Sequence, residues 1–221
     1  MIYKNLKIYN PICMNSPMRE FIYYSRTAPT SGSFPIDDLQ KAGRIDIAIH
    51  VIIAAFFLSH KIRPDAKLNL IFTGMPDPPK HIEMAPVIEG ETGIDKIYLA
   101  KKDVSGILKR ILYKYRQGER KEVFPGYWIQ KKGFLELVKD LSKQGRNLYI
   151  LDPKGEDIRT VEIKKDPVFI LGDHKGLPGK ELKRLKKICT PVTLGKKTYF
   201  ASQVVAVVNN EIDRREESGL L

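Results

Sequence analysis

The stretches NLYILDPKGED (147–157), PVFILGDHKG (167–176) and TPVTLG (190–195) decide the fold predicted for this chain. Each begins with an apolar run typical of a buried strand and ends in a loop that contains glycine. Helices are predicted over residues 178–188 and over about 199–214. Strands that alternate with helices indicate an α/β fold, whose largely parallel sheet is covered by helices on both faces.

The residues upstream of these stretches continue the alternation of strands and helices. Strands are predicted at EFIYYS (20–25), KLNLIF (67–72) and YWIQ (127–130). Helices are predicted at Arg44 to His60, at Asp103 to about Arg116 with Asp103 as the N-cap, and at Phe134 to Ser142. The segment GMPDPPK (74–80) has three prolines and cannot continue a regular element. We predict one domain, residues 18–221, preceded by an N-terminal extension, residues 1–17.

Composition and charge limit the functions that are open to the chain. Its 221 residues carry 38 lysines and arginines against 26 aspartates and glutamates, a net charge of +12. Such an excess favours an acidic partner, above all nucleic acid. Two cysteines, Cys13 and Cys189, are too few for a disulfide scaffold or a cysteine-based zinc site, and a cytoplasmic location is expected. The longest nearly apolar run, residues 47–58, is too short to span a membrane.

The candidate binding site is the set of three glycine loops that follow the C-terminal strands. Ligands of open α/β sheets bind beyond the carboxyl ends of the strands, where exposed main-chain amides can hold them. Three ordinary turns would show the same pattern, so both interpretations stay open. The nucleotide-binding patterns G-x-G-x-x-G and G-x-x-x-x-G-K-[ST] are absent from the sequence, as are H-E-x-x-H and G-x-S-x-G.

Three further features allow more than one interpretation. Arg44 and Asp46 open an apolar helix, where the aspartate could serve the helix dipole or both residues could face a substrate. The basic run KELKRLKK (180–187) is interpreted as a solvated helix face rather than an RNA contact. We expect His174 to be a hydrogen-bonded turn residue and Cys189 to be a buried packing residue.

Several segments together resemble the archaeal tRNA pseudouridine N1-methyltransferases of the SPOUT superfamily. The segments are MREFI (18–22), GRIDIAI (43–49), AAFFLSH (54–60), GMPDPPK (74–80), NLYILDPKGED (147–157), PVFILGDHKG (167–176), TLG (193–195) and VVNNEIDR (207–214). The resemblance implies a SPOUT-type mostly parallel sheet flanked by helices, with a C-terminal trefoil knot. It implies a homodimer that methylates N1 of pseudouridine 54 in the T-loop of tRNA, and no metal.

The resemblance also implies which residues form the site. S-adenosylmethionine would be held, largely through backbone groups, by Leu151, Gly172, Leu194, Gly195, Lys196, Lys197, Thr198 and Tyr199. Asp46 and Asp77 match polar positions of the family's motifs, so one of them is expected to handle the base or its N1 proton. Arg26 and Arg44 are the candidates for contact with RNA phosphates.

The sequence departs from the family pattern at positions that keep alternatives open. Val204 stands where the family often has a cysteine, His50 where it often has an arginine, and Lys196 and Lys197 where a proline is frequent. One alternative is a related knotted enzyme that acts on pseudouridine in ribosomal RNA. A second is a non-catalytic RNA-binding protein with the same fold. A third is a methyltransferase or nucleotide-binding enzyme for a small molecule.

Overall fold

The fold was analysed on a computed structural model that describes residues 18–59, 61–85 and 101–221, with side chains from residue 103 onward in the last range. The predicted extension, residues 1–17, and Cys13 lie outside these ranges. The strands are β1 (Arg19–Ser25), β2 (Ala66–Phe72), β3 (Lys80–Met84), β4 (Lys121–Phe124), β5 (Tyr127–Gln130), β6 (Asn147–Asp157), β7 (Pro167–Gly172) and β8 (Thr190–Thr193). The helices are α1 (Ile45–Phe56), α2 (Lys101–Tyr113), α3 (Phe134–Lys143), α4 (Gly179–Leu185) and α5 (Ala201–Glu217).

The described strands form one sheet in the order β4-β5-β3-β2-β1-β7-β6-β8. Neighbouring strands are parallel in the series β2, β1, β7, β6 and β8. Strands β3, β5 and β4 form an antiparallel edge beside β2. The predicted α/β fold with a mostly parallel sheet is therefore confirmed. The carboxyl ends of β1, β6, β7 and β8 consequently meet at one edge of the sheet.

Helices cover both faces of the sheet, as the alternation of β1 requires. Phe21 and Tyr23 point to a core that α1, α2 and α5 complete. Ile22, between them, points to a second core beneath α3 and α4, which includes buried Cys189. Cys189 is thus a packing residue, and burial raises the pKa of its thiol to about 12. None of the helices that the structure describes has the length and apolarity needed to span a bilayer.

Four local predictions were wrong. The helix predicted for 44–60 ends at Phe56, because Phe57 is extended and forms an antiparallel bridge with Ile62. Asp103 lies inside α2, which already begins at Lys101, so it is no N-cap. Strands β3 and β4 were not predicted, although β3 begins at Lys80, the last residue of the proline-rich segment. Strand β6 continues to Asp157, beyond the predicted turn.

A buried charge network fixes the C-terminal helix to the start of the sheet. The Arg19 side chain is fully buried in β1. Its guanidinium donates a hydrogen bond to the Asn209 carbonyl at 3.0 Å. Its ion pairs are with Asp65 at 2.6 Å, Asp213 at 2.6 Å and Glu216 at 3.0 Å. Arg63 pairs with Asp213 as well, so two arginines face the three carboxylates of this cluster.

We expect Arg19→Ala to lower the free energy of unfolding by about 3 kcal/mol, since it removes a fully buried cation and leaves Asp65, Asp213 and Glu216 with Arg63 alone. Urea denaturation measures the change. Arg159→Ala is the matched control, because Arg159 is exposed and its one ion pair within the described ranges is with Asp157 at 3.2 Å. Such a surface pair contributes about 1 kcal/mol or less. Equal losses in the two variants would show that the buried network does not fix α5.

Candidate active site

A cavity of about 410 Å³ opens at the carboxyl ends of β6, β7 and β8. Its walls are the three glycine loops, Ile47 of α1 and the first turn of α5. This is the position at which open α/β sheets bind ligands, and the volume is within the range of small-molecule sites. The structure therefore favours a pocket over three unrelated turns.

All eight residues predicted to hold the cofactor line this one cavity. They are Leu151, Gly172, Leu194, Gly195, Lys196, Lys197, Thr198 and Tyr199. Val204, at one of the departures from the family pattern, lines it too and adds an apolar surface. The structure thus brings the predicted set together, while the role of each residue stays a prediction.

The first loop is a bulge in β6. This strand pairs with β8 at residues 149–151 and again at 156–157, so residues 152–155 project from the ladder. A Cβ on Gly155 would lie 2.5 Å from the Val192 nitrogen, so the bulge needs glycine to lie against β8. Asp152 fixes its shape by accepting from the Lys154 amide at 2.8 Å and pairing with Lys186. Burial alone would raise the pKa of Asp152, but these partners hold it below its ordinary value.

Asp173 fixes the second loop, a role that the sequence reasoning missed. One carboxylate oxygen of this buried residue accepts from the Arg26 amide at 2.8 Å and from the Ser25 hydroxyl at 3.3 Å. The other accepts from the Lys175 amide at 2.8 Å. The bond to an amide two residues ahead is the Asx-turn pattern, which was the available signal in the sequence GDHKG. Asp173 thereby joins the ends of β1 and β7.

The lining of the cavity suits S-adenosylmethionine. Apolar side chains such as Leu151 and Leu194 can contact a flat adenine ring, and the strand ends supply main-chain donors and acceptors. In the third loop, Gly195 adopts a φ of 115° and accepts a hydrogen bond from the Thr193 hydroxyl at 3.1 Å. A Cβ at Gly195 or at Gly176 would meet nothing within 4 Å, which leaves open space beside these cavity-lining positions.

Arg44 and Asp46 pair with each other at the start of α1. Arg44 donates to the two carboxylate oxygens of Asp46, from Nε at 3.0 Å and from Nη2 at 3.1 Å, and this pairing raises the pKa of Arg44. Ile47, the next residue, lines the cavity. Arg44 has a φ of 60°, a left-handed conformation that costs a residue with a Cβ about 1–2 kcal/mol. Such strain is typical of functional sites.

Asp77 is not among the residues that line the cavity. Its carboxylate pairs with both Lys80 and Lys131, and its amide donates to the Thr30 hydroxyl at 2.9 Å. Lys131 and then Lys80 lower the pKa of this carboxyl. Lys80 is buried, with its ammonium 3.3 Å from the centre of the Tyr115 ring. Asp77 therefore has lysine partners and is not one of the cavity-lining residues.

The remaining predicted residues lie at the rim of the cavity. The Arg26 side chain reaches the Gly176 carbonyl at 3.5 Å. His174 lines the cavity, is exposed, and makes no side-chain hydrogen bond to any residue in the described ranges. The expectation of a hydrogen-bonded turn histidine was therefore wrong, because the turn is held by Asp173 instead.

Tyr23 is a buried polar residue of this region that the sequence could not single out. Its hydroxyl has no hydrogen-bond partner among the described residues. Burial raises its pKa, and the charges of Asp173 and Asp46 add to the shift. The strand alternation predicts only that Tyr23 is in the core, so no sequence signal connects it with the site.

Comparisons with known proteins identify the family of this chain. A family model described as SAM-dependent RNA methyltransferase matches residues 18–217. A tRNA (pseudouridine(54)-N(1))-methyltransferase of Thermococcus kodakarensis is 36% identical over 202 residues, covering 89% of this chain and 99% of the relative. The same enzyme of Methanocaldococcus jannaschii is 30% identical over 206 residues, covering 90% and 98%.

A solved structure shares the fold. Nep1 of Archaeoglobus fulgidus, bound to S-adenosylhomocysteine, superimposes with a TM-score of 0.58 at 14% identity, covering 91% of this chain and 99% of that chain. The fold and the family model together define the protein as a SAM-dependent RNA methyltransferase with a SPOUT-like α/β fold. Within that class, the chain belongs to the family of the tRNA (pseudouridine(54)-N(1))-methyltransferases.

Proposed function

We propose that the protein transfers a methyl group from S-adenosylmethionine to N1 of pseudouridine 54 in the T-loop of tRNA. The observation that carries the proposal is the single cavity in which the three strand-end loops meet, in a chain that matches relatives of this activity over nearly its whole length. The net charge of +12 suits an RNA substrate. Because the reacting edge of the base must be exposed, the nucleotide is expected to leave the base stack.

The cavity residues would hold the cofactor and exclude water from it. Bound S-adenosylmethionine supplies an electrophilic methyl group, which N1 receives while the C–S bond breaks. The main chain at Leu151, Gly172 and Leu194 would fix the orientation of the cofactor, since an in-line transfer depends on alignment. Tyr199 lies at the mouth of the cavity and is 42% exposed, so it is placed between bound cofactor and solvent.

Asp46 is the carboxylate that we assign to the N1 proton of pseudouridine. N1 must lose this proton during or after the transfer, and a carboxylate near the cavity can accept it. Asp46 is followed directly by Ile47, which lines the cavity, whereas no residue adjacent to Asp77 does so, and two lysines hold Asp77 and lower its pKa. Arg44 and Arg26 would contact RNA phosphates beside the cavity. The Arg44 guanidinium would then leave the Asp46 carboxylate and bind a phosphate instead.

Methyl transfer to tRNA carrying pseudouridine 54 tests the proposal. We expect incorporation of one labelled methyl group per tRNA, recovered as 1-methylpseudouridine after digestion to nucleosides. Binding of tRNA without incorporation would favour the non-catalytic RNA-binding alternative. Incorporation into ribosomal RNA alone would favour the related enzyme of ribosomal RNA.

We propose that the enzyme works as a homodimer and that Phe200 lies in the interface. Phe200 is 74% exposed beside the cavity, and Tyr199 before it is exposed as well. We expect light scattering to give the mass of a dimer for the wild-type protein. The variant Phe200→Asp should have the mass of a monomer. Tyr113→Asp is the matched control, since Tyr113 is 59% exposed on α2. A dimer in all three proteins would place the interface elsewhere.

We further propose that residues 18–221 form one domain whose C-terminal part is threaded as a trefoil knot. In this proposal residues 1–17 are an extension of the domain, and the enzyme works in the cytoplasm. The second pairing of β6 with β8 supports the threading, as do two contacts of Ile158. Its amide donates to the Thr193 carbonyl at 2.9 Å, and its carbonyl accepts from Arg215 of α5 at 2.6 Å. The family match over 18–217 supports the domain bounds.

A further inference from the structure

The outer side of α4 and its following turn forms a basic face, which the site described above does not use. Its four cations are exposed: Lys180, Lys183, Arg184 and Lys187. At about 100° per residue, they fall within an arc of about 100° opposite Leu182 and Leu185. Those two leucines pack into the core beneath α3 and α4. The four cations therefore point away from the protein.

The basic face has no acidic partner among the residues that the structure describes. The ion pairs of that part of the chain include none of the four cations. Lys186, on the side of the helix between the basic face and the core, is instead paired with Asp152. A solvated helix face is commonly laced with charges of both signs, but here only Glu181 interrupts the cations.

Both ends of α4 are attached to the wall of the cavity. The loop that precedes it includes the cavity-lining Gly176, whose carbonyl lies 3.5 Å from the Arg26 guanidinium. The turn that follows it is connected through Lys186 to Asp152, which also lines the cavity. The basic face is therefore held at a fixed position beside the cavity.

We propose that the basic face of α4 binds phosphates of the RNA strand next to the target nucleotide. The inference rests on the proposed function, because it takes the cavity as the site of methyl transfer to RNA. A helix of seven residues is about 10 Å long, which corresponds to about three nucleotides of a stacked strand. The face thus contacts the sugar-phosphate backbone beside the splayed base and carries no sequence information.

RNA binding by a neutralised variant tests the proposal. The probe is a labelled T-arm stem-loop that carries pseudouridine 54, and the variant replaces Lys180, Lys183 and Arg184 by glutamine. We expect its Kd at about 0.1 M salt to rise about 10- to 50-fold. The plot of log K against log salt has a negative slope, and its magnitude should decrease by about 2–3, since each lost phosphate contact removes about 0.7–0.9. Cofactor affinity by calorimetry should change less than about twofold.

The matched control removes the same charge elsewhere. It replaces Arg110, Lys114 and Arg116 by glutamine, which are exposed at the end of α2. A second variant, Arg184→Glu with Lys187→Glu, gives a separate measurement if the triple variant unfolds. A Kd and salt slope equal to those of the control would overturn the proposal.

The proposal and the proposed function fail in different ways. If the wild-type protein binds the stem-loop but transfers no methyl group, the proposed function is wrong, and the Kd comparison still decides the role of α4. If methyl transfer proceeds and the neutralised variant keeps both Kd and salt slope, only the role of α4 is wrong. If the wild-type protein does not bind the stem-loop, both are wrong.

Discussion

Replacing Asp46 with asparagine is expected to lower kcat for methyl transfer by about 100-fold or more, because a positioned proton acceptor contributes about 10²–10⁴-fold. Asparagine keeps the size of the side chain but cannot take the N1 proton. Single-turnover transfer of labelled methyl groups to the pseudouridine stem-loop measures the rate. Cofactor affinity should stay within about twofold, since Asp46 does not itself line the cavity.

Two further substitutions make this result specific. Asp38→Asn is the matched control, because Asp38 is half-exposed in a loop and pairs with Lys41 at 3.0 Å. Asp77→Asn decides between the two predicted carboxylates: its kcat should fall less than about fivefold. A rate for Asp46→Asn within about threefold of the wild type would remove Asp46 from the mechanism. A 100-fold loss for Asp77→Asn alone would assign the proton to Asp77.

Gly172→Val is expected to weaken binding of S-adenosylmethionine by about 100-fold, with Gly172→Ala intermediate. A Cβ at this position would lie 2.5 Å from the carbonyl carbon of Gly176 and 2.7 Å from the amide nitrogen of Leu177. Both are backbone atoms, so the whole turn that lines the cavity must shift to relieve the contact. Isothermal titration calorimetry measures the affinity, and a 100-fold loss corresponds to about 2.8 kcal/mol.

The control for this substitution is Gly106→Ala. Gly106 lies in α2, and a Cβ there would meet nothing within 4 Å, so alanine should leave cofactor binding unchanged. It should also make the helix slightly more stable, by about 1 kcal/mol or less. Unchanged affinity in Gly172→Val, at an unchanged unfolding temperature, would show that the second loop does not hold the cofactor.

The strands next to the cavity could be predicted because a strand buried on both faces of a sheet consists of a continuous run of apolar residues. The wholly apolar run of β7 and the three glycine loops indicated a pocket at these strand ends, and the family resemblance implied the eight cofactor candidates, all of which line the cavity. Strand β3 gave no such signal. Its Lys80 and His81 are polar yet buried, because Lys80 contacts the Tyr115 ring and His81 bonds to Asn69 at 2.8 Å.

Other features of the site depend on tertiary geometry that residue types do not encode. The pairing of Arg44 with Asp46 requires the left-handed conformation of Arg44, which no local preference predicts for an arginine. The neutralisation of Asp77 requires Lys131, which is 54 residues away in the chain. The family resemblance could therefore name both carboxylates, but the different partners that the fold gives them could not be predicted from the sequence.

The most direct test of the account is methyl transfer to two matched T-arm stem-loops, one with pseudouridine and one with uridine at position 54. In uridine the N1 atom forms the glycosidic bond, so it offers no proton and no site for the methyl group. The account predicts labelled methyl groups in the pseudouridine stem-loop alone, recovered as 1-methylpseudouridine. Equal labelling of both stem-loops, or labelling of neither while calorimetry still shows cofactor binding, would contradict it.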